Sequence, residues 1–286
     1  MSGCGMQMEG GKQLFAQASA VSIHTGNIVN WSRLKKKCPT SPSEELQDCI
    51  RETLEKWCSQ VSPELLKEPP ATLECTITQD VDSISPEERE EVKVSVSLSQ
   101  YFLYAAKLFL SDPDSSGIKD AVKKACSALA VSQLDSVIIA PPPLEDGTSL
   151  SLSHLQPYWE ELETLVQSQS IVAIGTSDLD KVLLEQLYQW AQVKPSSNQV
   201  NLASCCVMPP ELTAFAKEYD IQLLTHSDPK ELIPMLSFQE AVIASIQDNL
   251  AYEWITKWVL RYSVIVKSRG IIKSKGYLVY AKRIRY

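Results

Sequence analysis

Glycine is scarce in this chain, with ten residues in 286. No G-x-G-x-x-G follows the first candidate strand, which argues against a doubly wound dinucleotide-binding sheet. Histidine occurs three times. The eight cysteines (4, 38, 49, 58, 75, 126, 205 and 206) include no C-x-x-C pair and no spacing with histidine that would build a metal site. Positive charge is not in excess either. The formal net charge of −8 argues against a nucleic-acid binder, whose affinity rests largely on neutralising phosphates. Long apolar runs are missing: "YFLYAAKLFL" (101–110) is half of the roughly 20 residues that cross a bilayer. The start, "MSGCGMQMEGGKQ", lacks a charged region followed by an apolar core. These absences lead to the expectation of a reduced, cytoplasmic protein without metal, membrane or nucleic-acid partner.

What the chain does have is an ordinary globular mixture, 44% hydrophobic and 22% charged, with regular alternation of strand-like and helix-like segments. Strands are expected at 20–26, 73–79, 134–140, 171–177, 198–203, 221–226 and 262–268. Another is expected in either of two tandem candidates, "VKVSVSL" or "FLYAAKLFL". Helices fall between them. One opens with Ser41, Pro42 and Glu44, the order of a capping box with proline at the first helical position, and Leu46, Ile50, Leu54, Trp57 and Val61 form its stripe. Others are expected near 116–130, over "LQPYWEELETLVQSQ", over "DLDKVLLEQLYQWAQ" capped by Ser177, over "PPELTAFAKEY" and near 237–247, with a terminal helix or extension. Eight strands alternating with helices imply right-handed crossovers and one (β/α)₈ barrel, a single domain over 1–286 with residues 1–15 disordered.

In such a barrel the reactive groups sit where strand gives way to loop. "LDSVIIAPPP" places Ala140 there, a methyl group with no acid–base chemistry.

The segments "WEELETLVQSQSIVAIGTSDLDKVLLEQL", "KPSSNQVNLASCCVMPPELTAFAKEYDIQLLTHSDP" and "LRYSVIVKSRGIIKSKG" resemble, in order and spacing, the aldo-keto reductases. The resemblance implies that family's TIM barrel, here with shortened C-terminal loops. That family works with a tyrosine acid, a lysine, an aspartate and a histidine, a proton donor of tuned pKa beside a hydride acceptor. None of the ten tyrosines precedes Tyr101, and Ala140 stands where the histidine would be. Lys107 matches the lysine if the second tandem candidate is the strand. Ser177 and Gln199 match residues that hold the nicotinamide amide, with Asp178 in place of an asparagine and His226 in place of the stacking ring. Lys267, Ser268 and Lys273 match phosphate-gripping positions. These are remnant positions: no cofactor is required, and NADPH is the candidate ligand.

A closer likeness covers nearly the whole chain. "GNIVNWSRLKKKCP", "SEELQDCI", "HLQPYWEELE", "IVAIGTSDLDK", "NQVNLASCCVMPPELTAFAK" and "VKSRGIIKSKGY" resemble the modifier (regulatory) subunits of glutamate–cysteine ligase, the enzyme of the first step of glutathione biosynthesis. The resemblance implies a protein without catalysis of its own. It would form a heterodimer with the ligase catalytic subunit, improve its use of glutamate and relieve feedback inhibition by glutathione. An NADPH-dependent reductase and an NADPH-sensing binder are the alternatives.

Residues 97–106 read as an insertion. Cys38 follows three lysines, whose charge favours the reactive thiolate; with Cys205 and Cys206 it is a candidate for an intersubunit disulfide. Basic residues concentrate in "RLKKK" (33–37) and in the tail from Lys267.

Overall fold

The computed structural model describes residues 3–29, 31, 39–77, 102–111, 113–144, 148–201 and 207–284, with side chains from residue 9 onward. In chain order its elements are α1 (Gly3–Gln17), β1 (Ala20–His24), α2 (Pro42–Ser59), α3 (Pro63–Lys67), β2 (Thr72–Thr76) and β3 (Phe102–Leu110). They continue with α4 (Gly117–Leu129), β4 (Leu134–Ala140), α5 (Leu152–Gln167), β5 (Ile171–Ser177), α6 (Lys181–Trp190) and β6 (Ser197–Asn201). The last are α7 (Pro210–Glu218), β7 (Gln222–His226), α8 (Met235–Ile246), β8 (Trp254–Val266) and β9 (Ile271–Arg283). Contacts divide the chain into two compact units, one of residues 1–90, 232–259 and 274–286, the other of 91–231 and 260–273.

In the first unit β1 pairs parallel with β2 and antiparallel with β9. Every residue of β1 is buried, as a strand with neighbours on both sides and apolar cover requires. Helix α2 behaves as its sequence predicts. Ser41 accepts a hydrogen bond from the Glu44 N–H at 3.2 Å, Pro42 opens the helix, and all five stripe residues are buried. The Glu44 carboxylate turns back to the N–H and hydroxyl of Thr40. The amino-terminal segment departs from expectation. Residues 3–17 form helix α1 where disorder was expected, because Leu14 and Phe15 find cover, Phe15 with its ring centroid 5.0 Å from that of Trp254.

The second unit carries the parallel run β3–β4–β5–β6–β7. Val137, Ile138 and Ile139 of β4 are buried on both faces, as their unbroken apolar run implies. Gly175 of β5 lies opposite Ser197 of β6, and a Cβ there would come 2.1 Å from Ser197 Oγ and 2.9 Å from its carbonyl oxygen. Gly175→Ala is therefore expected to cost about 2 kcal/mol of stability through overpacking. A lower urea midpoint checks this, and an unchanged one would mean that β5 and β6 separate freely.

The tandem ambiguity resolves on the second candidate: "FLYAAKLFL" is β3, which includes residues 102–106 of the expected insertion. "VKVSVSL" lies outside the described residues. The carboxyl-terminal expectation needs correction. The eighth strand begins at Trp254, and the predicted terminal helix or extension is a ninth strand, joined to it by the turn 267–270. Strands hydrogen-bonded to each other across so short a turn form an antiparallel hairpin. The α/β class and the parallel run stand. Closure into an eight-stranded ring is not among the described pairings.

Candidate functional site

Within the second unit a cavity of about 490 Å³ opens at the carboxyl ends of the parallel strands, where ligands meet such sheets. Lys107 of β3, Ala140 of β4, Ser177 at the end of β5 with Asp178 after it, His226 at the end of β7 with Asp228 after it, Pro141–Pro143 and Lys230 all line it.

One carboxylate organises the polar groups. Asp228 accepts from Lys107 Nζ at 2.9 Å and from both Arg261 terminal nitrogens, Nη1 at 2.6 Å and Nη2 at 2.8 Å. The fork of Arg261 matches a carboxylate geometrically, so this pair is both strong and oriented. Phe109 lies beneath the two cations, its centroid 5.1 Å from Lys107 Nζ and 5.5 Å from the Arg261 guanidinium carbon. His226 bridges the second carboxylate to the first. Its Nε2 is 3.0 Å from both Asp178 oxygens, and its Nδ1 is 3.3 Å from Asp228 Oδ2. The Asp228 N–H donates to Nδ1 at 3.1 Å, which assigns the neutral ring as the tautomer with its proton on Nε2, facing Asp178. Asp178 itself adopts φ 60°, a left-handed conformation that aspartate tolerates. Its N–H donates to the Gln199 carbonyl at 2.7 Å, and its side chain accepts from the Asn201 N–H at 2.8 Å and from Ser177 Oγ at 3.1 Å. That turn also explains why Ser177 does not cap the next helix. Asp180 does so instead, accepting from the Leu183 N–H at 2.8 Å.

The electrostatics follow from these contacts. Burial would raise the Asp228 pKa, but its contacts with His226, when that ring is protonated, and with Arg261, and the charges of Arg261 and Lys107, outweigh it, holding the carboxyl well below its usual range. Asp178 is likewise lowered, burial being outweighed by His226 and the Asn201 N–H. Burial pushes the Lys107 ammonium down, and Asp228 restores part of the loss. His226 is pushed down by burial and lifted further by its two carboxylates, so it ends above the ordinary imidazole value.

The structure thus brings together Lys107, Ala140, Ser177, Asp178 and His226 of the residues singled out in the sequence. Gln199 pairs with Ser177 in the sheet, but its side chain does not line the cavity. Lys267, Ser268 and Lys273 are elsewhere. Lys267 Nζ lies 3.8 Å from Asp135 at the start of β4, and Lys273 Nζ lies 5.2 Å from the ring centroid of Phe102 at the start of β3. The start of β4 is about 17 Å from Ala140 at strand rise, so these cations stand at the opposite strand ends. Cys38, Cys205 and Cys206 lie outside the described residues. The described cysteines 49, 58, 75 and 126 are free thiols. Burial raises the pKa of each, that of Cys58 to about 11. No group of metal-binding side chains occurs among the described residues. Asp228 and Arg261 were missed at the sequence level. The signal was a lone arginine in the apolar strand "WVLRYSVIV", which burial obliges to find a carboxylate.

No family model matches the chain. It is 63% identical over 280 residues to the human glutamate–cysteine ligase regulatory subunit, covering 98% of each chain. It is 65% identical over 271 residues to the bovine protein of the same name, covering 94% of this chain and 95% of the other. The chain belongs to the glutamate–cysteine ligase regulatory subunit family. Beside this family membership stands a weaker likeness to solved aldo-keto reductases. The aldose reductase of Giardia lamblia is 18% identical, with a TM-score of 0.40 over 66% of this chain and 62% of that one.

Proposed function

We propose that this protein is a non-catalytic regulatory subunit. It binds the catalytic subunit of glutamate–cysteine ligase as a heterodimer, raises its affinity for glutamate and increases its resistance to feedback inhibition by glutathione. The observation that carries the reading is near-full-length identity to proteins bearing the regulatory-subunit name. The cavity supports it. Ala140 contributes a methyl group, no tyrosine is among the described lining residues, and the Lys107 ammonium is spent on Asp228. A lysine so engaged has no phenol to activate.

A regulator of this kind works by binding the competent state of its partner more tightly than the incompetent one. A preference of about 1.4 kcal/mol gives a tenfold change in substrate affinity. Its place is the cytoplasm, and no described helix is long and apolar enough to cross a membrane.

The described residues do not fit a nicotinamide dinucleotide. Three aspartates line the cavity, and Lys267, Ser268 and Lys273, the expected phosphate contacts, stand at the other strand ends. The reductase and NADPH-sensing alternatives therefore lose their anion grip. The deciding experiment mixes this chain with the purified catalytic subunit. Co-elution, a lower KM for glutamate and a higher inhibition constant for glutathione are expected. A chain that elutes alone and leaves both constants unchanged would refute the assignment.

A further inference from the structure

The turn between β8 and β9 combines exposed aliphatic residues with a cluster of cations. Gly270 has φ 62°, and a Cβ there would meet nothing within 4 Å. The two residues that follow, Ile271 and Ile272, are 55% and 46% exposed. Consecutive strand residues point to opposite faces, so both faces of the hairpin are uncovered at this point. Large aliphatic side chains on both faces of a projecting tip give up burial for no gain within the chain. Around them stand Lys267, Arg269 and Lys273, three cations within seven residues of a chain whose formal net charge is −8. Lys273 lies over the Phe102 ring and Lys267 leans toward Asp135. Lys267 and Lys273 are thereby held beside the isoleucines by the starts of β4 and β3, and Arg269 lies exposed between them in the turn.

We infer that this hairpin tip is a docking element whose occupant is an acidic surface with an apolar notch on the ligase catalytic subunit. The inference rests on the regulatory reading above and names the surface through which it acts. Charge complementarity selects the partner's sign, since an apolar tip ringed by cations pairs with an apolar notch ringed by carboxylates. Isoleucine anchors supply the buried area, and the cations steer encounter and suppress wrong partners.

The test uses the full chain and the purified catalytic subunit, titrated calorimetrically at about 50 mM and about 300 mM salt, either side of a Debye length near 10 Å. Ile271→Ser with Ile272→Ser, and separately Arg269→Glu, are expected to weaken binding about tenfold or more. Arg269→Glu should also reduce the salt dependence. All these side chains are exposed, so thermal unfolding should be unchanged. Leu236→Ser on α8, 69% exposed, should bind as tightly as the unaltered chain. If the unaltered chain binds and the tip variants bind equally well, or if Leu236→Ser weakens binding as much as they do, the tip is not the docking element while the regulatory reading survives. If the tip variants abolish self-association of this chain, or binding of inorganic pyrophosphate, and spare the catalytic subunit, the occupant named here is wrong. If the unaltered chain does not bind the catalytic subunit, the regulatory reading itself falls.

Discussion

Replacing Asp228 with alanine is expected to lower the free energy of unfolding by about 3–5 kcal/mol, the cost of stranding buried charge. Lys107 and Asp228 are nearly buried, at 5% and 3% side-chain exposure, and Arg261 is at 18%. Without the carboxylate, the two cations over the Phe109 ring lose the anion that pairs them. The arginine cannot shed its proton, but the lysine can. Burial already depresses Lys107, and loss of Asp228 removes the support that partly restores it. In the variant the folded chain therefore binds fewer protons than the unfolded chain between the depressed lysine pKa and about 10.4, and stability rises with pH across that window. Urea unfolding at neutral and alkaline pH should show the deficit shrinking as pH rises. A loss of less than about 1 kcal/mol at neutral pH would sink the view of Asp228 as the organising anion.

The same reasoning says what the network does not do. Buried ion pairs seldom add net stability over apolar residues of like volume. A triple replacement, Lys107→Met with Asp228→Leu and Arg261→Met, should then recover most of the loss. The network sets the geometry of the cavity mouth; it does not hold the fold together.

How much of this was legible in the sequence depends on distance along the chain. Helix α2 could be read residue by residue, because its cap and its stripe are local patterns of three and four residues. Strand β4 could be read from three consecutive apolar residues and the prolines that stop it. Position Ala140 at the cavity followed from the strand end alone. The partner of Lys107 could not be read, since Asp228 is 121 residues away and reaches it through the stacking order of five strands. Strand β9 was missed for a different reason. Tyr277 to Tyr280 are four consecutive apolar residues, three of them fully buried, and without alternation such a run suits a helix as well as a strand. The phosphate-like residues misled because a lysine–serine pair reads alike at either end of a strand. Placing them required knowing that β8 turns back on itself at 267–270.

The second large effect is acid sensitivity in the first unit, and it centres on His24. This residue ends β1, paired with Thr76 on one side and Leu278 on the other, and it is 8% exposed. Burial disfavours its imidazolium and lowers its pKa to about 4, against a smaller upward pull from Glu74. The sign is fixed by which state takes the proton first. Between the unfolded value near 6.5 and the folded value near 4, the unfolded chain binds the proton and the folded chain does not, so stability is lost as pH falls through that window. The loss should reach about 3 kcal/mol at its lower end. His226 works the other way: its raised pKa contributes stability that is fully present below about 6.5 and is lost as pH rises through its folded value. Asp228 and Asp178, both depressed, keep their contributions until pH falls below the ordinary carboxylate range. Between pH 6.5 and 4 the decline is therefore assigned to His24. Urea unfolding of the unaltered chain at half-unit steps should show it, and His24→Gln, which keeps a polar side chain but does not titrate, should flatten it. An equal slope in the variant would mean that another buried base carries the proton-linked loss.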